Sequence, residues 1–318
     1  MSPAHLTRHS RTLLLTLDAF GTLFHPCHPV PNQYAAVARA FGLPRAVITP
    51  DRLKAAFKEV FKAQARKYPN YGRSDVLLGQ YGGPRQWWEE VIQGSFARAI
   101  LGNNEEARST QTGQTGEHII LPPGLIDSLL DQFAGSKGYA FYNDVAPFFR
   151  RMRELKTSEK SPFEHIIIGV ISNSDDRVPA VLKSLGLQVG NMRADQDRCS
   201  MELPGFEDLQ GAQATADGQH TLDVDLVITS YEAGAEKPDR LIFDVAKRQA
   251  QLLATPSNSD ADILCVHVGD DYVKDYCAAR DAGWESYLLP RDASQKNPNA
   301  ETSLDSLAEL VDQLERPT

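Results

Sequence analysis

Asp18, the pair Ser172 and Asn173, Lys237, and the trio Asp270, Asp271 and Asp275 each stand at or shortly after the end of a short run of Leu, Ile and Val. Together they supply a carboxylate able to attack phosphorus, a hydroxyl and an ammonium able to hold phosphoryl oxygens, and further carboxylates able to hold a cation. Hydrolysis through an aspartyl-phosphate requires that set. An anionic nucleophile and an anionic phosphate repel each other, so a magnesium ion on Asp18 and Asp270, with Asp275 through water, would neutralise the approach. Ser172 and Lys237 would clamp the remaining oxygens. Backbone N–H groups in the turn from Ala19 to Leu23 would add donors, with Gly21 permitting the tight path.

Each residue alone has an ordinary explanation. An aspartate after a strand is a common turn former, Ser172 with Asn173 can cap the next helix, and Lys237 before Pro238 reads as a solvated loop lysine. Three acidic residues at a helix start complement its dipole. The signal lies in their joint order along the chain, because the carboxyl ends of strands in a doubly wound sheet share one edge whatever their distance in sequence.

The elements that must position them are legible as apolar runs at Thr12 to Leu17, His165 to Ile171, Asp225 to Thr229 and Ile263 to Val268, with a fifth at Glu285 to Leu289. They do not alternate, which suits parallel strands covered on both faces. Helical spacing at Arg177 to Leu185, Pro238 to Leu253, Tyr272 to Ala282 and Ser303 to Leu314 supplies crossovers and a closing helix. The expected class is α/β: a doubly wound, Rossmann-like parallel sheet core made of residues 12–26 and 140–318, interrupted by an all-helical cap at 27–139. Within the cap a helix runs from Asn32 to Phe41 and stops at Gly42, and a second is capped by Thr49 with Pro50 at its first position. Two polar stretches without periodicity, 102–117 and 191–222, read as flexible surface insertions.

A hydrophobic content of 42% over 318 residues can build a large core, and a net charge of -9 offers no cationic field for nucleic acid or an anionic membrane. Four cysteines without CxxC pairing point to a reducing compartment and no disulfide framework. No apolar run reaches the ~18 residues that a membrane span needs. The chain is expected in the cytoplasm, with a small molecule as its partner and no second copy called for.

"LTLDAFGTLF", "GVISNSD", "AEKPDRLIF" and "VHVGDDYVKD" occur in that order, with Thr22, Pro238 and Phe243 in register. In these four spaced motifs, spanning Leu13 to about Leu289, the sequence resembles the haloacid dehalogenase superfamily. The helical insertion directly after the first motif looks like that family's type-one cap, which closes over the site and selects the substrate. By this resemblance Asp18 is nucleophile and metal ligand, Asp270 and Asp275 hold Mg2+, and Thr22, Ser172, Asn173 and Lys237 face the phosphoryl group. "YPNYG" and "WWEEVIQGSF" are similar to the cap of a eukaryotic branch of haloacid dehalogenase-like hydrolases, and their aromatic group Tyr68, Tyr71, Trp87 and Trp88 offers a substrate-pocket lining, with Tyr71 and Trp87 assigned to it.

Two places after the nucleophile the family's phosphatases carry a second aspartate, which protonates the leaving group and then activates water. Here the residue is Phe20. The resemblance gives the metal the backbone carbonyl of that residue, so magnesium binding survives the change while protonation does not. Losing a general acid forfeits about 10²- to 10⁴-fold in rate, so slow ester hydrolysis is expected. An aromatic at this position also resembles the haloacid dehalogenases, which attack carbon without a metal; the retained Asp270 argues against that alternative. A third reading is a phosphometabolite-binding protein with little turnover.

Overall fold

The computed structural model describes residues 12–102, 119–194, 222–254 and 263–315. The two stretches expected to be insertions, 102–117 and 191–222, fall almost wholly outside the described residues. Strands β1 (Thr12–Leu17), β4 (His165–Ser172), β5 (Val189–Met192), β6 (Val224–Thr229), β7 (Ile263–Gly269) and β8 (Glu285–Leu288) form one six-stranded sheet in the order β5-β6-β4-β1-β7-β8. Every pairing within it is parallel.

The apolar runs are continuous because both faces are covered. Leu13, Leu15 and Leu17 of β1 pack with Phe148, Phe149 and Leu310 on one face. Leu14 turns to the other, among Ile242, Phe243 and Trp284. All four leucines are fully buried, so each contributes roughly 1.5–3 kcal/mol of transfer free energy. The helices on these faces are Val145–Thr157, Val178–Ser184, Arg240–Leu253, Ala278–Asp281 and Leu307–Leu314.

After β1 the chain makes a short strand β2 (Phe24–Pro26), which pairs antiparallel with β3 (Tyr139–Phe141). Sequence periodicity does not reveal this ribbon, since each strand has only three residues, most of them half-buried. Between its strands lie the helices Val30–Ala40, Pro50–Lys67, Arg73–Leu77, Pro84–Leu101 and Leu125–Gln132. Thr49 accepts the Arg52 N–H and caps the second of these, as its position before Pro50 predicts. This helical layer has a core of its own around Tyr34, Leu53, Ile92, Phe96 and Leu129.

Candidate active site

β1 pairs with β4 on one side and β7 on the other, so the residues following these three strands emerge at one rim. Asp18 continues the ladder, donating its N–H to the Val268 carbonyl 2.9 Å away. Carboxylate oxygens of Asp18, Asp270 and Asp275 lie within 4.8 Å of one another. Lys237 Nζ sits among them, 2.6 Å from Asp18 Oδ1, 2.6 Å from Asp275 Oδ1 and 2.9 Å from the Ile171 carbonyl.

Local backbone chemistry explains the convergence. Gly21 has φ +91°, and a Cβ there would stand 2.8 Å from both Asp270 carboxylate oxygens, so the turn after Asp18 closes against Asp270 only as glycine. Asp271 caps the next turn by accepting the Val273 and Lys274 N–H groups, and Tyr272–Cys277 winds as a π-helix. That path swings Asp275 back over Gly269, where an added Cβ would collide with the carboxyl carbon. The Asp271 N–H then donates to Asp275 Oδ2 at 2.9 Å.

Burial pushes the Asp18 carboxyl up to about 7, opposed by the Lys237 ammonium and reinforced by Asp275 and Asp270. Burial acts the same way on Asp275, yet Lys237 and the His267 hydrogen bond prevail and hold it well below the usual carboxylate range. Lys237 is raised, the two carboxylates outweighing its desolvation. Beneath the site, buried His267 contacts Thr16 Oγ1 through Nδ1 at 2.8 Å and Asp275 Oδ1 through Nε2 at 3.3 Å. Nothing in the sequence singles out His267, whose neighbours are 251 and eight positions away.

Three carboxylates face one ammonium, leaving two negative charges in excess when all are ionised. Asp270 is held by neutral donors, the Thr22 hydroxyl at 2.9 Å and the Gln295 amide. An all-oxygen donor set with that charge deficit suits a divalent magnesium ion.

Ser172 is buried, lines the cavity and lies 3.1 Å from Ser174 Oγ. The remaining expected residues divide. Thr22 is fully buried, does not line the cavity, and orients Asp270 in place of the phosphoryl contact expected of it. Asn173 lines the cavity, but its amide is engaged with the Lys237 backbone, accepting its N–H at 2.6 Å and donating to its carbonyl at 2.8 Å. Phe20 is 48% exposed and faces the cavity. Trp87 does not line it: the ring is buried in a cluster with Tyr81 and Val91, and its Nε1 donates to the Tyr68 carbonyl. The neighbouring Trp88 takes that place.

Tyr71 lines the cavity from a left-handed backbone, φ +60°, following Asn70 at φ +46°. Such strain persists only where surroundings hold it. Asn70 supplies the hold by donating to the Ser230 carbonyl at 2.7 Å and accepting the Ser230 hydroxyl at 3.0 Å, which ties the helical layer to the sheet.

The cavity measures about 460 Å³ and runs from the carboxylate cluster to the aromatic side chains of the helical layer. Sequence reasoning missed its second charged pair. Asp175 accepts Nε and Nη2 of Arg177 at 2.9 and 2.7 Å and the Trp88 Nε1 proton at 2.7 Å, with the guanidinium 4.8 Å from the Trp88 ring centre. The available signal was "DDR", which begins on the last residue of the second motif.

No protein-family model matches the chain. Haloacid dehalogenase-like hydrolase domain-containing protein 3 of Bos taurus is 28% identical over 309 residues, covering 95% of this chain and 93% of that protein. The Homo sapiens protein of the same name is 28% identical over 276 residues, covering 87% and 81%. The Rhythmically expressed gene 2 protein of Drosophila melanogaster is 26% identical over 280 residues, covering 88% and 84%. Among solved structures, a 2-haloacid dehalogenase from Pseudomonas syringae aligns with TM-score 0.49 and 17% identity over 95% of this chain and 97% of that one.

Proposed function

We infer that this chain, a haloacid dehalogenase-like hydrolase by homology, hydrolyses a small phosphorylated metabolite through a phosphorylated Asp18. The observation that carries this reading is the meeting of Asp18, Asp270 and Asp275 within 4.8 Å around the Lys237 ammonium.

Lys237 ties Asp18 Oδ1, which orients the carboxylate and favours its ionised form. The free Oδ2 attacks phosphorus, the bond from phosphorus to the leaving-group oxygen breaks, and the acyl phosphate forms. Water then attacks the same phosphorus, returning the Asp18 carboxylate and releasing inorganic phosphate. Ser172 Oγ, at the cavity wall, donates to a phosphoryl oxygen. Asp18 and Asp270, with the Phe20 carbonyl and Asp275, would hold Mg2+, which when bound offsets the charge of nucleophile and phosphate. Residues 27–139 act as a cap, and the aromatic lining excludes water from the reacting groups.

Phe20 offers no proton to the departing oxygen, so substrates with acidic leaving groups turn over fastest. Its aromatic side chain also favours a second reading, attack of Asp18 on the carbon of a 2-haloacid. Asp270, inside the carboxylate cluster, weighs for phosphate. The test is a panel of phosphate esters and acyl phosphates assayed with Mg2+ and with chelator, beside halide release from 2-haloacids. The first reading requires Mg2+-dependent phosphate release that disappears in Asp18→Asn; metal-independent halide release would replace it with the second.

A further inference from the structure

The wall of the cavity outside the carboxylate cluster is not uniformly apolar. Tyr34, Tyr71, Tyr139 and Arg177 all line it, and among the described residues no hydrogen-bond partner meets the three phenol hydroxyls or Arg177 Nη1. None of these four atoms is a sealed, unsatisfied group, and all four residues line the cavity. The Arg177 charge is felt by all three phenols. Burial keeps the phenols protonated, hence able to donate. Around them the wall is hydrocarbon: Phe57, Phe61, Trp88 and Phe133, with Phe20 edge-on to Tyr139 at 6.0 Å.

We propose that Tyr34, Tyr71, Tyr139 and Arg177 form a second subsite that recognises a neutral carbonyl-type acceptor on an aromatic or compact apolar leaving group. This deepens the phosphoryl-transfer reading and rests on it. Four donors without protein partners are met by water until a ligand acceptor replaces it and takes over their hydrogen bonds. Charge decides between a carbonyl and a second anion. Asp175 already neutralises Arg177 through two hydrogen bonds. The cavity is lined by five aspartates, Asp18, Asp175, Asp270, Asp271 and Asp275, against Arg177, Lys237 and Lys274. With Mg2+ bound these charges balance, so the reacting phosphate leaves the enclosure anionic, and a carboxylate or second phosphate would enter against that charge.

Phosphonates, which bind without turning over, separate this claim from the chemistry. Calorimetric titration of the full chain in Mg2+ should find benzylphosphonate at least about 30-fold tighter than methylphosphonate, from burial of the ring. One ring isomer of acetylbenzylphosphonate should bind about 5-fold tighter again, from the added hydrogen bond, and the matching carboxybenzylphosphonate should bind more weakly than benzylphosphonate. Tyr34→Phe and Tyr139→Phe, which remove only a hydroxyl, should abolish the acetyl increment while the ratio of benzyl to methyl stands. Equal affinity for methyl- and benzylphosphonate, no acetyl increment, tighter binding of the carboxyl analogue, or no phosphonate binding at all would overturn the proposal. Phosphonate affinities in the stated order without turnover of any phosphate would uphold the subsite and overturn the hydrolytic reading. Mg2+-dependent turnover that prefers sugar phosphates would do the reverse.

Discussion

Lys237 Nζ stands 2.6 Å from Asp18 Oδ1, joining groups 219 positions apart in the chain. Both are buried, and the same ammonium serves Asp275. Removing one partner of a buried pair strands the other's charge, which costs about 3–5 kcal/mol. Lys237→Met should therefore lower the urea unfolding free energy by that order and reduce phosphate turnover by at least about 10²-fold. Unchanged stability would mean that Lys237 is not the counterion of this cluster.

Gly21 faces the Asp270 carboxylate at a distance no Cβ tolerates. Gly21→Ala should displace Asp270 and weaken Mg2+ binding about 10-fold or more, read by calorimetry, while β1 and its neighbours stay folded by circular dichroism. Unaltered Mg2+ affinity would remove Asp270 from the ligand set.

By the resemblance to the haloacid dehalogenase superfamily, Phe20 stands where that family's phosphatases carry the acid that protonates the leaving group. Phe20→Asp should raise kcat for alkyl phosphates by about 10²-fold, and much less for acyl phosphates, whose leaving groups need no proton. An equal gain on both classes would contradict the assignment.

Glu232 is buried, with Oε2 unpartnered among the described residues, and desolvation pushes its carboxyl up to about 7 against the pull of Arg193 and Thr229, with Asp176 adding to the rise. The folded state thus binds this proton more tightly than the unfolded chain, whose carboxyl titrates near 4.5. Its contribution to stability is full below about 4.5, falls as pH rises, and is gone above about 7. Urea midpoints of wild type and Glu232→Gln between pH 4.5 and 8 should differ in slope, the variant losing less stability on the way up. Parallel curves would refute it.

Much of this was legible in the sequence for a definite reason. A strand buried on both faces must be continuously apolar, so β1 matches its run at both ends and β4, β6 and β7 lie within a residue of theirs; the edge strand β8, buried at alternate residues, also does. The stretches that form β2 (FHP), β3 (YAF) and β5 (VGNM) hold no run of Leu, Ile and Val, which hides them. The closing helix begins at Leu307 and not Ser303 because Ser303 bridges to Leu288 beside β8. The second crossover starts at Arg240, where Asp239 accepts the Leu241 N–H. Strand-end spacing brought Asp18, Lys237, Asp270 and Asp275 together, whereas Trp87 and Trp88 differ only by a helical rotation of about 100° on a helix apolar around much of its circumference. Arg177 also lies over the Trp88 ring and His267 meets Thr16, distant partners that local pattern does not encode.

The covalent step is the most direct point of contact with experiment. Full-length protein turning over 32P-labelled acetyl phosphate in Mg2+ should, on acid quench, carry label on the peptide containing Asp18, and none after chelation or in Asp18→Asn. Sustained turnover with that peptide unlabelled, or with label retained in Asp18→Asn, would contradict the account.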